Sequence, residues 1–490
     1  MKRLSLYSAF LILFLVSTCG PTKVDFIILQ LNDVYEIAPI EGGKVAGMAR
    51  VATVRNELLA ENPNVVTTLS GDFVSPSLIG TLMYEEEKIA GKHMVEVMNA
   101  LGVDYVVPGN HEYDITEEEH LKRIAESEFL WTTTNCFHRV GEKLVPWEQN
   151  GKPFPNHIIH TIKGIDIAFF GSTVPFTDKG YVDYTDIYES VIDTYEQIKD
   201  EAEVLVAITH LEEGMDLELA KKIPALNLIL GGHDHSNMKF TVGNTVMTKA
   251  DANAKTVYIH RMSYDKATGK TTIVSELRKI DDSIEEDPEV KAVVDKWVTI
   301  GDNSMEDMGY TPKELVMTTT DTLDGRESSI RMRPTNYPIM TAESFLFVVP
   351  EADMGIFNSG SIRLDDQLTG TITEYDILRS FPFGGGISIV DLKGDVVEQI
   401  LETGTVTNVG IGGYLQLANA EKKDDGWYIK GSKLSKSKTY KLALPDFVMG
   451  GGETNLKFIG DYQGQATSPE SFGDIKNDVR DIIMAYMRQL

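Results

Sequence analysis

The stretch FIILQLND at residues 26–33 runs from an apolar strand directly into two polar side chains, Asn32 and Asp33. An apolar run followed by a polar cluster recurs four times before residue 240. The four further clusters are SGD at 70–72, PGNHEYD at 108–114, TH at 209–210 and GGHDH at 231–235. Amphipathic segments lie between these runs, which predicts an α/β fold, and in such folds ligands bind outside the carboxyl ends of the strands. We therefore expect the five clusters to meet at one site.

These clusters carry six side chains of the kinds that bind metal ions. They are Asp33, Asp72, Asn110, His210, His233 and His235. A single aspartate after a strand usually caps a turn or a helix, and a single loop histidine usually binds no metal. Five strand ends that all carry such residues favour a shared site. The set has no thiolate, so it suits divalent or trivalent Zn, Mn, Co or Fe. Six ligands suffice for two ions when one carboxylate bridges, which predicts a two-metal hydrolytic site.

The chain of 490 residues is strongly acidic, with 46 Lys and Arg against 74 Asp and Glu and a formal net charge of −28. Such a surface repels polyanions, so we expect no nucleic acid partner. A small anionic substrate must then be attracted locally, by bound cations or by a few arginines.

Residues 1–19 have the pattern of an export signal. Lys2 and Arg3 precede an apolar stretch at 4–16, which is shorter than the roughly 20 residues that span a bilayer. Cys19 stands where a lipoprotein is acylated, and both lipidation there and simple cleavage nearby stay open. We expect an exported protein, periplasmic or at the cell surface, that contacts a membrane only through such an anchor.

Three segments follow the signal. The α/β region covers 24–278, and an acidic linker at 279–311 becomes helical after Pro288. The segment 312–490 combines strand-like pieces with Gly-rich turns, which predicts a smaller C-terminal α+β domain.

The ordered set of Asp33, SGD, GNHEYD, THL and GGHDH resembles the calcineurin-like metallophosphatases, and in particular their 5'-nucleotidase family. The C-terminal segment carries NSGSIR, FPFGGGISIVDLKG, GGYLQL and DFVMGGGE in the order of that family's nucleotide-binding domain. The resemblance covers nearly everything after the export signal. It implies a four-layer metallophosphatase β-sandwich flanked by helices, followed by the smaller α+β domain.

The resemblance implies which residues hold each ion. One ion would be held by Asp33, Asp72 and His235. The other would be held by Asp72, Asn110, His210 and His233. In the first set Tyr35 stands where the family has histidine, so the second set should bind its ion more tightly. Tyr35 itself has three options: ligand to ferric iron, hydrogen-bond partner of a metal-bound water, or packing residue.

The resemblance also implies a mechanism, in which a hydroxide bridging the two metals attacks phosphorus. His111 resembles the family's catalytic histidine, which stabilises the transferring phosphoryl group and assists the leaving oxygen. Asp114 would orient the ring of His111. The alternative is that Asp114 caps a helix beginning near Ile115, with Glu117 completing a capping box.

Substrate recognition is assigned by the resemblance to the C-terminal domain. Arg331, Asn358 and Arg363 match residues that grip phosphate or ribose, and Arg333 is a further candidate. Phe383 of FPF matches one of two aromatics that sandwich the base, whereas such a triplet without the resemblance more often packs in a core.

The second aromatic of that sandwich should follow the GGGE turn that ends at Glu453, but the matching position holds Asn455. The choice of base therefore stays open.

The leading hypothesis is an exported, metal-dependent hydrolase that removes phosphate from nucleoside 5'-phosphates. A cyclic-nucleotide phosphodiesterase, a nucleotide-sugar hydrolase and a phosphatase of a non-nucleotide ester are alternatives of the same class. A surface lipoprotein that binds phosphate or metal without turnover is the alternative from another class, and the presence of His111 argues against it.

Overall fold

The computed structural model describes residues 22–175 and 179–490. The predicted export signal at 1–19, including Cys19, lies outside these ranges. Among the described residues, no helix has both the length and the apolar character needed to cross a bilayer. Cys136 is a buried free thiol.

Two six-stranded sheets form the N-terminal part of the fold. In spatial order, the first sheet consists of Lys270–Lys279, Thr256–Asp265, Lys23–Leu31, Val65–Leu69, Tyr105–Val106 and Leu130–Trp131. The second sheet consists of His157–Ile162, Ile165–Phe170, Val204–Thr209, Leu228–Gly231, Thr245–Lys249 and Met238–Val242. Within each sheet the strands that precede the polar clusters run parallel, so their carboxyl ends lie at the same edge.

Alternating side chains of these strands separate two cores. Phe26 and Ile28 pack between the two sheets, whereas Ile27 and Leu29 of the same strand belong to a second core covered by helices. Because successive strand residues point to opposite faces, the result is four layers: helices, sheet, sheet and helices. The predicted four-layer sandwich is confirmed.

Helices cover both outer faces. On the side of the first sheet they are Met48–Glu61, Lys92–Leu101, Glu117–Glu126 and Pro288–Asp307. On the side of the second sheet they are Ile187–Ile198 and Glu213–Lys222. The helix predicted after Pro288 begins at that residue, and the Asp287 carboxylate caps it by accepting from the backbone N–H groups of Glu289 and Val290.

The C-terminal part is α+β, as predicted. Its four-stranded sheet has the order Ile387–Lys393, Thr439–Pro445, Met354–Asn358 and Leu415–Ala418. A two-stranded sheet pairs Leu315–Asp324 with Gln367–Thr373. The longer helices are Asn336–Val348, Glu374–Ser380, Gly394–Glu402 and Val479–Met487.

The two parts contact each other close to the polar strand ends. The Tyr375 hydroxyl donates a hydrogen bond to the Glu36 carboxylate at 2.7 Å, and Lys255 forms an ion pair with Asp366 at 2.7 Å. Apolar side chains of both parts also share one continuous core cluster. The C-terminal part is therefore held against the edge where the polar clusters lie.

A buried lysine ties together three strand ends of the second sheet. Lys249 has no exposed surface, and its Nζ donates to the backbone carbonyls of Leu211 and Gly232, the latter at 2.8 Å. It also forms ion pairs with Asp216 at 2.9 Å and with Asp234 at 2.6 Å. Because a buried ammonium group must keep its acceptors, these contacts fix the TH and GGHDH loops relative to each other.

We predict that Lys249→Met lowers the free energy of unfolding by about 3–5 kcal/mol, because the buried Asp216 carboxylate loses its counter-charge. Adding Asp216→Asn to this variant should restore part of the loss. Urea unfolding followed by tryptophan fluorescence measures both changes.

The matched control is Lys221→Met, since Lys221 is exposed and its ion pair is with Glu218, on its own helix, at 3.5 Å. We expect this control to stay within about 0.5 kcal/mol of the unmodified chain. A Lys249 variant as stable as the control, or a double variant no more stable than Lys249→Met alone, would contradict the assigned role.

Candidate active site

The ends of the parallel strands bring the predicted ligands together. Asp33, Asp72 and His210 each offer a ligand atom within 4.8 Å of the others, and all three are buried. The Nε2 atom of His210 lies 3.2 Å from Asp72 Oδ2 and 3.2 Å from Asn110 Oδ1. Residues that are far apart in the chain thus share one cluster, as the strand-end pattern predicts.

The GGHDH loop adds the remaining two histidines. The backbone N–H of His233 donates to the Asp33 carboxylate at 3.0 Å, and the His233 ring lies 5.2 Å from the His210 ring, centroid to centroid. The Nε2 atom of His235 lies 3.4 Å from Asp33 Oδ1. Contacts therefore link all six predicted ligand residues at the strand ends, and the ligand atoms of Asp33, Asp72 and His210 form the compact group among them.

The backbone turns sharply to present these side chains. Asp33, Asp72 and His233 have φ angles of 52°, 56° and 75°, in the left-handed region that L residues rarely adopt. Gly71 allows the loops to approach closely, because a Cβ atom there would lie 2.7 Å from both Gly109 Cα and His210 Nδ1. The packing of the surrounding loops holds this unfavourable geometry in place.

Glu112 connects two of the loops that carry predicted metal ligands. Sequence reasoning missed this role. Its carboxylate accepts from the backbone N–H groups of Asp72 and Phe73 at 2.8 Å, of Val74 at 3.1 Å, and of Gly109. Burial and the nearby Asp72 charge raise the pKa of Glu112 to about 7. A glutamate beside a metal-ligand motif gives no sequence signal that it points inward.

The electrostatics of the cluster fit a bound cation. Burial opposes ionisation of Asp33 and Asp72, but the neighbouring histidines lower the pKa of both carboxylates. Burial alone would lower the pKa of His210, whereas the Asp72 carboxylate raises it to about 9. The two buried carboxylates thus favour positive charge beside them. The carboxylate oxygens and the histidine nitrogens of this cluster match the ligand atoms of a divalent metal site.

Tyr35 lies among the ligand atoms. Its hydroxyl is 3.2 Å from Asp72 Oδ2 and 3.2 Å from His235 Nε2. Burial, together with the charges of Asp72 and Asp33, raises the pKa of Tyr35 well above its usual value of 10. The phenol is therefore held neutral here and donates a hydrogen bond to the Asp72 carboxylate.

His111 and Asp114 form the predicted pair. The Nδ1 atom of His111 lies 2.7 Å from Asp114 Oδ2, and the backbone N–H of His111 donates to Asp72 Oδ1 at 2.8 Å. The alternative role of Asp114 as a helix cap is wrong, because Thr116 is the N-cap and forms the capping box with Glu119. The Asp114 carboxylate instead contacts the ring of His111.

Two of the predicted substrate-binding arginines meet at Glu327, which sequence reasoning also missed. Arg331 forms an ion pair with the Glu327 carboxylate, and Arg363 Nη1 lies 3.7 Å from the same carboxylate. Arg333 instead donates to the Ser329 hydroxyl at 3.3 Å. The charges of Arg331, His235 and Arg363 lower the pKa of Glu327 against the effect of burial, so the arginine cluster lies within electrostatic reach of the metal-ligand cluster.

Two further predicted substrate-binding residues lie on different segments of the C-terminal part. Phe383 is 60% exposed, and the Arg363 guanidinium lies 5.8 Å from the centre of its ring. Asn358 donates to Glu453 Oε2 at 2.8 Å.

Asn455 occupies the position expected for the second aromatic. It has a φ of 60° and donates to the Asn408 side chain at 2.9 Å. Its amide therefore belongs to the hydrogen-bond framework of this loop and offers no stacking surface for a base.

Two family models match the chain in order. The model described as calcineurin-like phosphoesterase matches residues 26–237, and the model described as 5'-nucleotidase, C-terminal domain, matches residues 316–459. The first covers the two-sheet sandwich as far as the GGHDH loop, and the second covers most of the α+β part.

Known proteins agree with these matches. Trifunctional nucleotide phosphoesterase protein YfkN of Bacillus subtilis (strain 168) is 26% identical over 489 residues, which covers 88% of this chain but only 32% of YfkN. The 5'-nucleotidase of Vibrio cholerae is 26% identical over 482 residues, covering 86% of this chain and 83% of that protein. The crystal structure of the 5'-nucleotidase precursor from Thermus thermophilus has the same fold, with a TM-score of 0.72 at 18% identity over 95% of this chain and 96% of that one. The chain therefore belongs to the 5'-nucleotidase family of calcineurin-like phosphoesterases and is a phosphoester hydrolase.

Proposed function

We propose that this hydrolase removes the phosphate group from nucleoside 5'-phosphates in a reaction that depends on two metal ions. The observation that carries the proposal is the buried cluster of Asp33, Asp72 and His210 beside the His111–Asp114 pair. The 5'-nucleotidase from Vibrio cholerae supports nucleotide hydrolysis as the reaction. Export of the chain, predicted from residues 1–19, is part of the same proposal.

Six residues would hold the metals: Asp33, Asp72, Asn110, His210, His233 and His235. When bound, divalent ions supply the positive charge that phosphoryl transfer requires and polarise the attacking water. The site containing Tyr35 is the weaker of the two, because a neutral phenol is a poor ligand. The protein surface is acidic, so bound ions would supply local positive charge that attracts an anionic ester, as would the nearby arginines.

His111 acts on the ester itself. Asp114 accepts a hydrogen bond from Nδ1, which fixes the orientation of the ring, and we assign the other ring nitrogen to the leaving oxygen of the substrate. A proton delivered there neutralises the alkoxide that forms when the phosphorus–oxygen bond breaks. The backbone N–H of His111 donates a hydrogen bond to the Asp72 carboxylate. This bond holds the His111–Asp114 pair close to the metal-ligand cluster.

The C-terminal domain binds the rest of the nucleotide. Arg331 and Arg363 bind the phosphate or ribose, and Phe383 stacks on one face of the base. Because Glu327 already pairs with both arginines, a substrate anion competes with this carboxylate for them. Asn358, held by Glu453, completes the group of polar contacts.

A phosphatase with wider substrate range, acting also on non-nucleotide esters, is the second candidate. The position of Asn455 favours it, since this side chain bonds to Asn408 and Phe383 is the one aromatic present of the predicted pair.

The first test measures phosphate release by the purified chain from AMP, a cyclic nucleotide, a nucleotide sugar and glycerol phosphate, with and without chelator. We expect chelator-sensitive hydrolysis of AMP. His111→Gln should lower kcat by about 100-fold to 10,000-fold with an unchanged metal content, because general acid catalysis is lost.

The control is His157→Gln, since His157 lies on an outer strand of the second sheet and hydrogen-bonds to Asn156. This variant should keep full activity. An absence of chelator-sensitive release from every ester, or equal activity of the two histidine variants, would refute the proposed mechanism.

The second test separates the two candidate functions. Phe383→Ala should raise KM for AMP at least about fivefold through loss of base stacking, with no change in KM for glycerol phosphate. Phe240→Ala, which removes an exposed ring from an edge strand of the other domain, is the control. Equal effects of Phe383→Ala on the two esters would favour the phosphatase of wider range.

A further inference from the structure

A carboxylate from the C-terminal domain contacts one of the predicted metal ligands. The Nδ1 atom of His235 is hydrogen-bonded to Asp365 Oδ2, although the two residues belong to different domains. The opposite ring nitrogen of His235, Nε2, faces Asp33 Oδ1 at 3.4 Å and the Tyr35 hydroxyl at 3.2 Å. The His235 ring therefore bridges the metal-ligand cluster and the second domain.

Asp365 is itself held firmly in this position. Its other oxygen, Oδ1, accepts from the backbone N–H of Glu327 at 2.6 Å, and its side chain is only 10% exposed. The residue has a φ of 40°, in the left-handed region, so the backbone adopts an unfavourable conformation where the carboxylate meets His235. The adjacent Asp366 forms the interdomain ion pair with Lys255 and does not share the contact to His235.

This arrangement has a known chemical effect on metal binding. A histidine that binds a metal through one ring nitrogen usually donates from the other to a carboxylate, which fixes the ring and makes it a stronger ligand. Loss of such a partner typically weakens metal binding about 10-fold to 100-fold. Here the effect falls on the metal set that has Tyr35 in place of an imidazole, where His235 is the remaining histidine.

We propose that Asp365 is a positioning residue for His235, so that the C-terminal domain completes the metal site formed by Asp33, Asp72 and His235. This inference rests on the proposed function, because it takes those residues as metal ligands. The domain that binds the substrate then also strengthens one metal site. By reciprocity, occupancy of that site stabilises the docked arrangement of the domain.

The test is a titration of the metal-free chain with Co²⁺, followed by visible absorption and by competition with a chromophoric chelator. The unmodified chain should show a tighter and a weaker class of site. Asp365→Asn should weaken the weaker class about 10-fold to 100-fold and change its Co²⁺ spectrum, while the tighter class keeps its affinity.

Asp366→Asn is the matched control, because it removes an interdomain ion pair from the same loop without touching His235. It keeps the partner of His235, so it should weaken the weaker class of site far less than Asp365→Asn does and leave the tighter class unchanged. If Asp365→Asn has no effect, or if both variants weaken Co²⁺ binding equally, the positioning role is wrong.

A second comparison distinguishes positioning from a general structural effect. In a chain that already carries His235→Gln, Asp365→Asn should cause no further loss of Co²⁺ affinity, because its partner is gone. An additional loss would overturn the proposal.

The failure of this inference differs from the failure of the proposed function. A chain that binds Co²⁺ at two classes of site but hydrolyses no ester would refute the proposed function and leave the role of Asp365 intact. A chain that hydrolyses AMP, but whose Co²⁺ affinity is unchanged by Asp365→Asn, would refute the role of Asp365 and leave the proposed function intact.

Discussion

Asp33 and Asp72 are two carboxylates buried within a few ångströms of each other, and this close placement of like charges constrains everything around it. Two such charges in a dry environment repel each other and lose their hydration, so they require positive charge between or beside them. The histidines of three loops and the metals proposed for the site meet that requirement. The sheets supply the rigid strand ends from which the side chains converge, and the left-handed backbone at both aspartates brings them close enough to share one cation.

Much of this site could be predicted from sequence, because its ligands follow strands and the carboxyl ends of parallel strands meet. The supporting residues could not. Glu112 and Lys249 act through backbone N–H and carbonyl groups of other loops, and nothing in their own sequence neighbourhood shows which groups those will be. Asp114 illustrates the same limit: its spacing suited both a helix cap and a histidine partner, and only the capping of that helix by Thr116 decided between them.

The C-terminal domain was predicted as a substrate-binding unit from its motifs, but its contribution to the first domain was not. The contact between Asp365 and His235 joins positions 130 residues apart, so no local pattern reveals it. Position 455 shows the opposite case. There the sequence already indicated a missing aromatic, and the structure adds that the Asn455 side chain is hydrogen-bonded to Asn408.

Glu327 connects the two functions of the C-terminal domain. Its carboxylate neutralises Arg331 and Arg363, while its backbone N–H holds the aspartate that positions His235. An arriving anion that draws the arginines away from this carboxylate would leave Glu327 with less compensating charge, close to the metal ligands. Under the proposed function, substrate binding and metal binding would therefore be coupled through one short helical turn, Glu327–Ile330, with a sign set by the position that the Glu327 carboxylate then keeps. If it stays beside His235, its negative charge favours a cation in the neighbouring site, and substrate and metal strengthen each other's binding.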